Sequence, residues 1–332
     1  HMLFQESENV PQDQFFKKIQ DAGGTLNGGT WQDGTVYYEV VPKNALEMVM
    51  WLESDRMGYL INTVTETAFA NQQEVVQNEK RQRVDNNPYG HTGWVIDKNL
   101  YPDGHPYSWQ VIGELEDLQN ATVADVKEFY DKFYGPNNAT LVIAGDFDKG
   151  ETKKMIQKYF GEIKKRQEVA PLKTQTVSLA KSKRLYHEDN FATAPQLNMV
   201  WPVVEQYTKD AYALDFLGEI LSDGKKAPLY KVLVEEKELT SRPYAYNNPS
   251  QIAGKFQISV TANAGVDLDS VEAGIEEAFA LFEKEGITER DIERIKAGQE
   301  TDFYNGISSV LGKSFQLARY DVFTGDPGYI EK

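Results

Sequence analysis

A chain of 332 residues with 40% hydrophobic content carries enough apolar side chains for more than one ordinary core, so two packed units are expected. Asp and Glu number 51 against 35 Lys and Arg, and the net charge of −16 repels a phosphate backbone, which excludes nucleic acid as the expected partner. The absence of cysteine rules out disulfides, thiolate metal sites and cysteine nucleophiles, leaving Asp, Glu and four histidines as the side chains able to hold a metal.

The chain opens HMLFQES. A leading His1-Met2 reads either as a cloning remnant or as the tail of a helix, and these residues alone leave both readings open. From Asp13 to Ala22, Phe15, Phe16, Ile19 and Ala22 recur at helical spacing, and Gly23-Gly24 supplies a left-handed cap. TLNGGTWQDGTVYYEVV then reads as a hairpin turning at Gln32-Asp33-Gly34. Helices follow over Ala45–Asp55 and Thr65–Val84, the second halted by Pro88 and Gly90 in DNNPYG. Thr122 caps a helix running to Tyr134, Ala139–Gly145 is expected to be an apolar strand, and Lys149–Tyr159 is expected to be helical.

The polar, aperiodic stretch KKRQEVAPLKTQTVSLAKSKR has the composition of a linker. It divides the chain into a first unit over 1–165, a linker over 166–183 and a second unit over 184–332. Beyond it come a strand at Gln196–Trp201, helices at Asp210–Leu221 and Leu229–Glu236, a strand at Phe256–Ala262, and helices starting at Leu268 and Glu289. The repeated order of elements suggests a diverged duplication. No stretch approaches the eighteen consecutive apolar residues of a membrane span.

Two stretches offer chemistry. On the helix over Thr65–Val84, Gln72, Val76, Glu79 and Arg83 follow at steps of four, three and four and so share one face, which places the Glu79 carboxylate beside an apolar residue. By composition alone Glu79 reads as a solvated charge. Asn27-Gly28-Gly29 lies on the first hairpin arm and reads by composition as a flexible stretch. It is no phosphate loop, since no Gly-Lys-Ser/Thr follows. His91, His105 and His187 lack ligand spacing and read as capping or packing residues.

Taken in order, the local patterns resemble the pitrilysin and insulysin family of zinc peptidases, which includes the mitochondrial processing peptidases. His1-Met2-Leu3-Phe4 matches the end of the inverted motif H-x-x-E-H continued as M-x-F. Ala22-Gly23-Gly24 with Asn27 and Tyr37-Tyr38 matches the AGG…N and tyrosine-rich strand. Trp51 to Arg56 gives W-x-x-x-D-R, and Val76 to Arg81 gives V-x-x-E-x-R. His105-Pro106-Tyr107, FYGPNNATLVIAGDFD at 133–148 and PQLNMVW at 195–201 complete a match that runs end to end.

The resemblance implies an α+β fold of two tandem related units, each a mainly antiparallel sheet backed by helices. It implies a zinc metalloendopeptidase half or subunit that cleaves extended or unfolded peptides in an enclosed chamber. His1 becomes the second zinc histidine, and Glu79, 78 residues later, falls at the family's spacing for the third ligand. The first histidine and the general-base Glu would stand four and one residues before His1, so no catalytic residue is assigned within the chain. The chain is expected to lack the family's opening strands and to stop before the second unit's final strand and helix. With two of three ligands, zinc binding is expected to be weak or absent and the chain inactive by itself. Gln72 stands where family members often carry a supporting glutamate, and Asn27, Gly28 and Gly29 fall on the edge strand that takes up substrate. The family's stretch L-R-x-x-x-x-L-x-Y corresponds to LVEEKELTS, where Leu233 and Leu239 match but Val234 and Ser241 replace Arg and Tyr. A second homologous subunit or segment is therefore expected to supply that Arg and Tyr. The alternative is a non-catalytic scaffold or peptide-binding subunit of the same fold.

Overall fold

Local sequence chemistry sets the elements that frame the N-terminal segment. Helix α1 (Gln14–Asp21) forms where Phe15 and Ile19 recur four residues apart, and both are buried. Gly23, at φ 78°, ends it in the left-handed region that glycine adopts without penalty. The structure, a computed structural model, describes residues 1–175 and 177–331; Thr176, in the expected linker, and Lys332, in the expected second unit, lie outside the described residues.

In chain order there follow β1 (Thr25–Trp31), β2 (Gly34–Val40), α2 (Leu46–Tyr59), α3 (Glu66–Lys80), α4 (Thr92–Leu100), α5 (Leu115–Asn120), α6 (Val123–Phe133) and α7 (Lys149–Phe160). After these come β3 (Gln196–Val203), α8 (Lys209–Ser222), α9 (Pro228–Tyr230), β4 (Pro243–Pro249), β5 (Gly254–Thr261), α10 (Leu268–Glu285), α11 (Glu289–Gly306) and α12 (Val310–Thr324). By packing the chain divides into two units that interleave along the sequence: His1–Arg81, Val111–Pro171 and Tyr304–Lys332 in one, Gln82–Gln110 and Leu172–Phe303 in the other.

In the first unit β1 and β2 form an antiparallel hairpin in which Gly28 faces Tyr37 and Asn27 faces Tyr38. Two apolar clusters support it. Val10, Phe15, Ile19 and Leu52 form one, and Leu3, Leu60, Val64, Val123 and Tyr130 form the other. Helix α6 starts at a capping box in which Thr122 and Asp125 satisfy each other's backbone N–H groups. Helix α3 begins at Thr65, whose hydroxyl accepts the Ala68 N–H, and beyond Lys80 it widens into a π-helical turn over Arg81–Asp85 rather than continuing to Val84 as the periodicity implies.

The apolar stretch 139–145 corrects another expectation, because it joins no strand ladder. Its β-branched residues favour extended backbone, but a strand is defined by a hydrogen-bonded neighbour, and among the described residues none runs beside it.

The second unit has a three-stranded antiparallel sheet in the order β3-β5-β4. Its core face carries Phe256, Ile258, Val260 and Ala245 against Val271, Ile275 and Ala278 of α10. Segment 82–110 is fastened to this unit by the buried Asp97 on α4, which pairs with Lys255 and accepts from Gln110 Nε2 at 2.9 Å. The HPY motif fastens it again, since the Tyr107 hydroxyl accepts the Ile252 N–H at 3.1 Å.

Candidate metal centre

His1 precedes a 3-10 turn over Met2–Phe4, closed by the Phe4 N–H donating to the His1 carbonyl at 3.0 Å. Leu3 is buried against Leu60, Val64, Val123 and Tyr130, which sets the direction of the turn. Glu79 sits on the last turn of α3, beside Lys80, which is 5% exposed. These two elements bring His1 Nε2 and Glu79 Oε2 to 3.0 Å from each other. The side chains are 46% and 23% exposed, so the pair is reachable from solvent.

Nitrogen and carboxylate donors are zinc's usual ligands, and two of them each about 2.0–2.2 Å from one tetrahedral ion stand roughly 3.4 Å apart, so the pair, now at hydrogen-bonding distance, opens by a few tenths of an ångström to take an ion. The pair therefore fits two positions of a zinc ion in donor type and separation. Among the described residues no group of three or more His, Asp or Glu forms a metal site.

His1 and Gln72 line a cleft of about 390 Å³ whose walls are mainly apolar, with Phe69, Val76, Val126 and Phe129 among them. Gln73, the next residue on α3, donates Nε2 to the Leu118 carbonyl at 2.6 Å and the Ala121 carbonyl at 3.3 Å, which secures the α5–α6 wall. Tyr37 and Tyr134 also line the cleft, their hydroxyls 2.9 Å apart, and burial followed by Tyr134 pushes the Tyr37 pKa up. Sequence reading passed over Tyr134, although Tyr130 and Tyr134 sit four apart on EFYDKFY and their rings stack with centroids at 5.6 Å.

On the hairpin, β1 pairs only with β2 among the described residues, so its outer edge is unpaired. Asn27 Oδ1 accepts the Gly28 N–H at 2.8 Å. A Cβ on Gly28 would lie 3.1 Å from Phe4 Cζ and 3.2 Å from Tyr37 Cδ1, so any side chain there requires one of these rings to give way. At Gly29 the nearest atom would be Val36 Cγ1 at 3.8 Å, an ordinary contact.

Of the other histidines, His105 is buried, stacks on Tyr101 at 4.7 Å and accepts the Tyr107 N–H on Nδ1, and burial lowers its pKa. The His91 and His187 rings lie 5.4 Å apart, with His91 Nε2 3.7 Å from Asp85 Oδ1. In LVEEKELTS, Leu233 is fully buried and Leu239 packs on the same core, while the nearby Arg242 guanidinium lies 5.1 Å from the Tyr244 ring centroid.

The family model described as insulinase, peptidase family M16, matches residues 1–99, and the one described as peptidase M16 inactive domain matches residues 120–299. The zinc protease PqqE of Helicobacter pylori is 28% identical over 312 residues, 93% of this chain and 69% of that protein. The beta subunit of the mitochondrial-processing peptidase of Saccharomyces cerevisiae is 23% identical over 175 residues, 52% of this chain and 36% of that subunit. Among solved structures, a protease from Helicobacter pylori superposes with a TM-score of 0.88 at 28% identity, covering 100% of this chain and 79% of that one. The crystal structure of pitrilysin gives 0.74 at 20% identity over 97% of this chain and 35% of its own, a likeness of fold. With more than half its length, residues 120–299, matched by a single family model and residues 1–99 by its companion, the chain belongs to peptidase family M16, the insulinase or pitrilysin family of zinc peptidases.

Proposed function

We propose that this chain is the zinc-bearing half of a metalloendopeptidase that cleaves extended or unfolded peptides inside an enclosed chamber, with His1 and Glu79 as two of the zinc ligands. The observation that carries this reading is the 3.0 Å approach of His1 Nε2 to Glu79 Oε2 at an apolar cleft, from residues 78 positions apart in the sequence. When bound, zinc supplies a Lewis acid that activates water and polarises the scissile carbonyl. Gln72, which lines the cleft with His1, offers a neutral hydrogen-bonding group where family members often carry a glutamate. The apolar cleft wall excludes water from the bound peptide, which strengthens every polar interaction at its rim.

Substrate adds as a strand to the free edge of β1 at Asn27, Gly28 and Gly29. In that pairing the Gly28 N–H leaves Asn27 Oδ1 for a substrate carbonyl, so Asn27 caps the edge donor while the site is empty. A second homologous subunit or segment supplies the Arg and Tyr that Val234 and Ser241 do not, as donors to the developing oxyanion.

One observation favours the scaffold reading instead: the model matching residues 120–299 is described as an inactive domain. The two readings separate in one assay. Turnover of an unstructured fluorogenic peptide is measured with zinc for the protein expressed with whatever its gene encodes ahead of His1, alone and with the homologous second half. Turnover only in the mixture, lost in Glu79→Gln, is the expected result. Full turnover by the lone chain removes the need for a partner, and peptide binding without turnover in every combination favours the scaffold.

A further inference from the structure

The W-x-x-x-D-R stretch has no part in the chemistry so far, yet both of its polar members are among the most buried charged groups of the first unit. Asp55 is 2% and Arg56 4% exposed, on neighbouring positions of α2. Neighbouring residues on a helix point about 100° apart, so the two reach different parts of whatever lies across them. Here both reach the first fifteen residues of the chain.

Asp55 holds the loop that follows the His1 turn. Its Oδ2 accepts from the Ser7 hydroxyl and from the Asn9 N–H at 3.0 Å, and its Oδ1 accepts from Asn9 Nδ2 at 2.6 Å. Three donors on one buried carboxylate fix the loop at Ser7 and Asn9, and Val10, fully buried, closes it through a bridge with Ser7. Arg56 holds the turn itself. Its guanidinium lies 5.5 Å from the Phe4 ring centroid, 4.9 Å from that of Phe15 and 4.2 Å from that of Tyr37, all within cation–π range. Phe4 and Tyr37 are also the two rings that close on the α-carbon of Gly28. Through these rings one side chain touches the segment that carries His1 and the strand β2 that carries Tyr37 into the cleft.

The charge balance suits this role. Arg56 donates to Glu53 and stands 3.7 Å from Glu39, and burial followed by the neighbouring Glu53 keeps Glu39 protonated above the ordinary carboxylate range. One cation thus faces one anion, and the guanidinium plane is left free to stack on the aromatics.

We propose that Asp55 and Arg56 are positioning residues of the metal centre: Asp55 clamps the loop at Ser7 and Asn9, Arg56 clamps Phe4 and Tyr37, and together they hold His1 against Glu79. The proposal rests on His1 and Glu79 being zinc ligands. It assigns the D-R dipeptide a task on the segment before α1 rather than on the substrate.

The experiment measures two quantities on the protein expressed with whatever its gene encodes ahead of His1: zinc affinity by competition with a chromophoric chelator, and hydrogen exchange of the amides from Met2 to Val10. Four variants are compared with the unmodified chain. Asp55→Asn weakens the acceptor, Asn9→Ala removes one donor from an exposed side chain, Arg56→Lys keeps the charge without the plane, and Glu79→Gln tests the ligand itself. Asn9→Ala leaves the buried groups in place and stays folded should Asp55→Asn prove too disruptive. The expected result is that the Asp55, Asn9 and Arg56 variants speed exchange in this segment and weaken zinc by about tenfold, with the melting transition still well above the assay temperature. If zinc affinity stays within twofold in those three while Glu79→Gln weakens it, the positioning role is overturned and the ligand reading stands. If Glu79→Gln leaves zinc affinity unchanged, the ligand reading fails and the positioning role falls with it.

Discussion

Glu39 shows what single residues in this unit are asked to do. It lies on β2 opposite Leu26, its side chain is 9% exposed, and burial followed by the nearby Glu53 raises its pKa strongly. In the unfolded chain the same carboxyl titrates near 4.5. Between these values the folded state holds one more proton than the unfolded state, so the stability this group contributes is complete at low pH and is lost as pH rises. Urea unfolding of the chain and of Glu39→Gln from about pH 5 to pH 8 checks this. The stability advantage of Glu39→Gln should grow across that range, and an advantage independent of pH would remove the buried proton from the account. None of this is legible in the sequence, where Glu39 is one of 51 acidic residues and carries no distinguishing signal. Its protonation is decided by its burial and by Glu53, which stands fourteen positions away in the sequence on α2. Glu79 is singled out only by motif order, because its own helix is rich in charge and composition gives it no distinction.

Among the elements, helices with capping chemistry and the hairpin with its turn were readable, since their signals are local: Thr122 with Asp125, Thr65 before α3, Gly23 after α1. Elements whose existence depends on a neighbour were not. The 139–145 stretch reads as a strand and has no ladder, whereas β4, bounded by Pro243 and Pro249, is given no element in the sequence reading and becomes an edge strand beside β5. The hairpin carries a further consequence. A methyl group at Gly28 would have to displace the Phe4 or Tyr37 ring, both already fixed by Arg56, so Gly28→Ala should lose about 1–3 kcal/mol in thermal or urea unfolding. Gly29→Ala, on the same strand with an ordinary contact only, should lose far less. Equal losses at the two positions would mean that strand propensity, not ring packing, sets the cost. This pair also bears on substrate binding, because a change at Gly28 disturbs the core and strand pairing together while a change at Gly29 leaves the core alone.

At the scale of the whole chain, two units were expected in sequence order, and the packing instead threads 82–110 and 304–332 away from their neighbours in sequence. Long-range exchange of this kind leaves no periodic trace; of the groups that fasten 82–110, Tyr107 lies inside the HPY stretch that the family resemblance singles out, whereas Asp97, Lys255 and Ile252 fall in none of its motifs. The resemblance carried the functional reading further than composition did, because it linked His1 to Glu79 across 78 residues and the structure places their side chains in contact. The central claim is that these two residues hold the metal. Crystals of the protein expressed with whatever its gene encodes ahead of His1, soaked in zinc and measured at the zinc absorption edge, test it most directly. The account predicts an anomalous peak about 2.0–2.2 Å from both His1 Nε2 and Glu79 Oε2. Zinc bound only elsewhere, or a peak on His1 that persists unchanged in Glu79→Gln, would contradict it.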